Sequence, residues 1–137
     1  MARITSGPFV VPRSVDGTNN GAVEFLLIGM DNVANRRVAA TVIVYVCDTS
    51  DLYPATPQEV EIFRQRVVIP ARDGAVLRVN AGPNTFTANT MLRVVVDGNT
   101  EADEANGIVV ALWGGKADGR AATSMIFKHE EFIEIES

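Results

Sequence analysis

The segment GIVVALWGGKADGRAATSMIF, residues 107 to 127, decides the class of fold. Two short apolar runs flank a Gly-Gly and an Asp-Gly, residues that take up turn conformations at low steric cost. Successive side chains of a strand point to opposite faces. In a strand over 107 to 113, Ile108, Val110 and Leu112 therefore oppose Val109, Ala111 and Trp113, and both faces are apolar. A run of this length, rich in β-branched residues and bounded by turn signals, reads as strand rather than helix.

Outward from this segment the period stays at two or becomes continuous. Strands are predicted at about 7 to 12, 22 to 30, 37 to 47, 59 to 69, 75 to 80, 90 to 97, 107 to 113 and 122 to 128, and the alternating tail EFIEIE offers a ninth. The separators VDGTNNG, MDNVANR, ARDG, AGPNTFTAN, DGNTEADEANG and GGKADGR carry the Gly, Asn, Asp and Pro that turns require. The stretch TPQEVEIFRQRV could open as a helical turn, with Thr56 as N-cap, Pro57 first and Glu59 closing a capping box. About eight short strands with regular turns predict an all-β, single-domain antiparallel β-sandwich, jelly-roll-like, spanning 1 to 137. A chain of 137 residues has the length of one ordinary domain.

Some of these strands should have one wet face. Leu92, Val94 and Val96 alternate with Met91, Arg93, Val95 and Asp97, and Leu77 and Val79 oppose Arg78 and Asn80. Others have none: Val42, Val44 and Val46 oppose Ile43, Tyr45 and Cys47, and Leu26, Ile28 and Met30 oppose Val23, Phe25 and Leu27. A two-layer sandwich buries one face of each sheet, so a second apolar face needs a cover. If such strands are neighbours, packing against another copy of the chain is the economical cover, and Ile43, Tyr45, Cys47, Val109, Ala111 and Trp113 are the expected interface. The long loop 48 to 60 or a terminal segment folded over the same face is the alternative. The termini, Pro-bounded GPFVVP and charge-laced EFIEIE, have the look of edge strands, paired locally or added to a neighbour's sheet.

Chemistry-bearing residues are sparse. One His, His129, and one Cys, Cys47, make a dyad conceivable only on paper, and no nucleophile-elbow, phosphate-loop or dinucleotide motif occurs. Two such residues cannot form a structural zinc site, and a single Cys forms no intrachain disulfide. The loop DGNTEADEANG spaces Asp97, Asn99, Glu101 and Asp103 as hard oxygen ligands for calcium, with Glu104 beside them. It breaks the EF-hand pattern, because Ala102 stands where Gly is needed and Ile108 where the bidentate Glu belongs, so a solvated hairpin tip is the plainer reading. No cofactor is expected. Trp113 closes an apolar strand and reads as core or interface, whereas Tyr53 is the more exposed ring. The net charge of -5, with basic residues scattered along the chain, argues against a nucleic-acid partner. No run approaches the roughly 18 apolar residues of a membrane span. The N-terminus has no apolar signal-peptide region, so synthesis in the cytoplasm is expected.

The closing segment, with Trp113-Gly114, Ala117-Asp118-Gly119, Ala122 to Phe127 and His129-Glu130-Glu131-Phe132, is similar to the end of short single-domain β proteins of endospore-forming bacteria. The opening ARITSGPFVVP resembles their N-termini. Such proteins look distantly related to the jelly-roll subunits of endospore appendages, and the resemblance implies a structural, self-assembling role at a spore or cell surface. The appendage subunits carry cysteines in an N-terminal connector, and this chain has none there, so covalent cross-linking of that kind is not implied.

The sequence thus predicts a non-enzymatic, self-associating structural subunit, a homo-oligomer, filament or coat component whose partner is itself. A carbohydrate- or small-ligand-binding module assisted by calcium, and a viral or phage capsid or decoration protein, are the alternatives.

Overall fold

A computed structural model describes residues 2–47, 58–98, 100 and 107–135. Among the described residues ten strands follow one another: β1 (Ala2–Thr5), β2 (Phe9–Val10), β3 (Phe25–Asn32), β4 (Val38–Cys47), β5 (Val60–Ile69), β6 (Gly74–Asn80), β7 (Met91–Gly98), β8 (Ile108–Gly115), β9 (Ala121–Phe127) and β10 (Ile133–Ile135). They form two antiparallel sheets. Sheet A runs β10-β1-β7-β4-β5, with β2 also on β7, and sheet B runs β6-β3-β8-β9. The inner faces enclose one apolar core, to which Val38, Ala40, Val42, Val44, Leu92, Val94 and Val96 contribute from sheet A and Leu26, Ile28, Met30, Leu77, Val79, Ile108, Val110 and Leu112 from sheet B. The β-sandwich predicted from periodicity is the fold observed.

Three local expectations are corrected. The first strand lies at Ala2–Thr5, and GPFVVP supplies only Phe9–Val10 because Pro8 and Pro12 remove ladder donors on either side. Residues 60 to 69, the core of the stretch that could have opened as a helix, are strand; Thr56 and Pro57 lie outside the described residues. The Gly-Gly pair is not a turn. Gly114 and Gly115 belong to β8, and a Cβ on Gly114 would stand 2.6 Å from Cβ of Met125, so the missing side chain lets β9 close over the core. The turn itself is Lys116–Gly119, closed by the Gly119 N–H donating to the Lys116 carbonyl at 3.0 Å, with Gly119 at φ 97°.

Two side chains fasten the layers at the turns. Asn32, fully buried, donates Nδ2 to the carbonyls of Arg36, Ile69 and Pro70 and accepts the Ala34 N–H on Oδ1 at 2.9 Å. It thereby joins the β3–β4 turn to the β5–β6 turn. His129 lies in the 3-10 turn His129–Glu131, at the position where the β8–β9 register would next pair residue 110. Its Nδ1 accepts the Val110 N–H at 3.0 Å, and its ring stacks on Phe132.

Candidate interaction surfaces

The six residues expected at one interface lie on opposite sides of the sandwich. Ile43, Tyr45 and Cys47 belong to β4 in sheet A, whereas Val109, Ala111 and Trp113 belong to β8 in sheet B. The condition that the two-faced strands be neighbours holds for β3 and β8 and fails for β4.

Around Ile43 the outer face of sheet A is filled by the chain's own side chains, although Val68 on β5 is exposed. Ile43, 2% exposed, pairs across the ladder with Val95, which is equally buried. A polar lattice surrounds them. Arg93 makes two 2.8 Å bonds to the Glu59 carboxylate, lies 4.9 Å from the centre of the Tyr45 ring and donates to Thr5 Oγ1 at 3.2 Å. Arg3 bridges to Asp97 at 3.2 Å. The Arg93 hydrogen bonds hold the Glu59 carboxyl below the usual carboxylate range. Burial, and then the Glu59 charge, push the Cys47 thiol up, so it stays protonated rather than nucleophilic. Of the 48 to 60 stretch named as the alternative cover, residues 48 to 57 lie outside the described residues, and Glu59 is at its described end. Ile43 and Cys47 are therefore internal residues and Tyr45 is half-buried under an arginine, which removes them from an exposed patch. Cys47 ends β4 in sheet A, whereas His129 lies in the 3-10 turn against β8 of sheet B, so the dyad is not assembled.

The outer face of sheet B is different. Ladder registers lay it out as rows across β6, β3 and β8: Asn80, Phe25 and Gly115; Arg78, Leu27 and Trp113; Val76, Gly29 and Ala111; Gly74, Asp31 and Val109. Val76 is 68% exposed, Ala111 is exposed, and Leu27, Val109 and Trp113 are half-buried. Gly29 leaves a gap between Val76 and Ala111, the centre of a shallow depression of about 430 Å³ bounded also by Asp31, Gly74 and Val109. At one end Arg78 lies 4.2 Å from the centre of the Phe25 ring and donates to Asn80 Oδ1 at 2.7 Å, while Phe25 packs on Trp113 at 5.6 Å. This face has an apolar middle, a cation at one end and the Asp31 carboxylate at the other.

Periodicity singles out Val109, Ala111 and Trp113 but not Val76 and Gly29. The signal was there: in GAVLRVN an apolar Val76 stands on the same face as Arg78. Only the ladder shows that it borders Gly29.

Two polar features complete the surface. Arg120 donates to Asp16 Oδ2 and Asp118 Oδ2, both at 2.8 Å, tying the 14 to 21 loop to the β8–β9 turn. The Thr18 hydroxyl, at 2.6 Å, and then Arg120 hold the Asp16 carboxyl far below the usual range. Arg37 and Arg66 line a depression of about 400 Å³ beside Val68, so the basic residues are less evenly spread than the sequence suggests. Of the calcium candidates, Asp97 is engaged by Arg3 in β7, and Asn99, Glu101 and Asp103 lie outside the described residues, as does Tyr53. Among the described residues no group of three or more His, Cys, Asp or Glu is placed to hold a metal ion, and no helix is long and apolar enough to cross a membrane.

No family model matches the chain, and no curated protein matches it. Among solved structures, the Anabaena sensory rhodopsin transducer aligns at 18% identity and a TM-score of 0.42, covering 82% of this chain and 94% of that one. A likeness of that degree does not extend to function.

Proposed function

We propose that the protein is a non-enzymatic structural subunit that associates with copies of itself through the outer face of sheet B. The observation that carries this reading is the row Val76, Gly29, Ala111 with Leu27, Val109 and Trp113 around it, an apolar sheet face that no described segment of the chain covers. Water-exposed apolar surface of this kind is stabilised by burial at roughly 25 cal/mol per Å², and contiguous patches are typical of interaction sites. The nested ladders β3 with β8 and β4 with β7 support a jelly-roll-like reading of the sandwich, in keeping with the resemblance to endospore surface proteins.

The single tryptophan makes the test specific, since Trp113 lies on the face in question. Acrylamide quenching of its fluorescence should weaken as protein concentration rises, in step with an increase in mass. Growth in mass with unchanged quenching would move the contact to another surface. A constant mass would remove the reading. A second reading, a carbohydrate- or small-ligand-binding module, draws on the half-buried ring of Trp113 beside Arg78, because aromatic faces stack on sugars. It requires a glycan that both shifts Trp113 emission and raises the melting temperature.

A further inference from the structure

The rows of sheet B carry an internal symmetry, and it constrains how a second copy would sit. Asp31 lies two residues from Gly29 along β3 in one direction, and Arg78 pairs with Leu27, two residues from Gly29 in the other. At about 3.4 Å per residue both charges stand about 7 Å from the Gly29 row, on opposite sides. On β8, Trp113 and Val109 stand equally far on either side of Ala111. Asp31 and Arg78 are exposed and share the outer face.

Resting on the self-association proposed above, we infer that the partner is a second copy stacked face to face on sheet B, with strands antiparallel, about a two-fold axis along the row Val76, Gly29 and Ala111. That axis reverses the strand direction while keeping each column in place. The Arg78 row of one copy then falls on the Asp31 row of the other. Trp113 meets the partner's Val109 directly, and Arg78, on swinging off Phe25 and Asn80, reaches the partner's Asp31 one strand, about 4.8 Å, to the side, within its side-chain length. Each contact occurs twice, as an isologous interface requires. On the axis itself Val76 meets the partner's Val76, Gly29 the partner's Gly29 and Ala111 the partner's Ala111. Turning the copy instead about an axis along β3 would set Asp31 against Asp31, a like-charge contact that costs association.

The size of the face sets the strength. Four strands about 4.8 Å apart and eight residues long cover roughly 500 Å² per copy, below the roughly 800 Å² per partner of stable complexes. The dimer is weak and concentration-dependent, and an isologous contact closes on itself, so any filament must use a further surface.

A mixing experiment tests the register. Asp31→Arg alone and Arg78→Asp alone each place like charges at both symmetric contacts, and each should weaken the dimer about tenfold or more in sedimentation equilibrium, where tenfold corresponds to about 1.4 kcal/mol. An equimolar mixture of the two variants restores opposite charges at both contacts and should recover dimer near the wild-type level. Recovery also shows that both variants are folded, and melting curves check each one singly. Ala111→Arg, placed on the axis itself, should abolish the dimer in every background. If Ala111→Arg abolishes association but the mixture fails to recover it, the antiparallel register is overturned while the face stands. If the wild type dimerises and none of the variants alters it, the contact lies elsewhere and this inference fails. A wild type that never dimerises overturns self-association itself.

Discussion

At the scale of single residues, hydrogen-bonding capacity decides which side chains cannot be exchanged. Asn32 satisfies three carbonyls with one amide, so Asn32→Ala leaves buried acceptors unpaired and should destabilise the protein by about 3 kcal/mol in urea titration. Asn32→Asp should fare no better, because a carboxylate cannot donate. Nothing in MDNVANR distinguished this asparagine from a turn former, since its partners near residue 70 become neighbours only in the fold. Asp16 presents the electrostatic case. Its folded carboxyl lies below the ordinary value of 3.8, so the tether to Arg120 is stabilising above that value and is lost only as pH falls through the lower folded one. NMR titration should find Asp16 ionised throughout the usual carboxylate range. Thr18→Val and Arg120→Gln should each raise its midpoint, because the Thr18 hydroxyl bond and then the Arg120 bond hold the carboxyl down; a midpoint that neither substitution moves would contradict the assignment.

At the scale of elements, alternation and turn chemistry located eight of the strands to within a few residues, because β-branched runs on a half-buried pleat have few other options. The failures share a cause. Ala2–Thr5 is too short to show a period, and its place is set by the ladder with β7. Gly114 and Gly115 looked like a turn, and only the packing of Met125 explains why a strand needs them. Gly114→Ala should therefore cost about 1–3 kcal/mol through overpacking, measurable as a lower melting temperature. His129 gives β8 an acceptor where β9 ends, so His129→Leu should speed hydrogen exchange at the Val110 amide while amides of the β3–β6 ladder stay protected.

At the scale of the whole molecule, the sequence showed that some strands were apolar on both faces but not which sheet each joined. That assignment reverses the expected behaviour of two substitutions. Ile43 is buried and pairs with the equally buried Val95, so Ile43→Glu buries an unpaired charge and should unfold the protein. Val109 is half-buried on the outer face of sheet B, where an arginine can extend into solvent, so Val109→Arg should leave the protein folded and act chiefly on association. If Ile43→Glu proved folded and merely monomeric, sheet A would be the interface instead. The central claim, that sheet B binds a second copy, is met most directly by light scattering on a concentration series of the wild-type chain. Mass rising reversibly from 14.7 kDa toward twice that value is the expected result, and a constant 14.7 kDa at every concentration would contradict it.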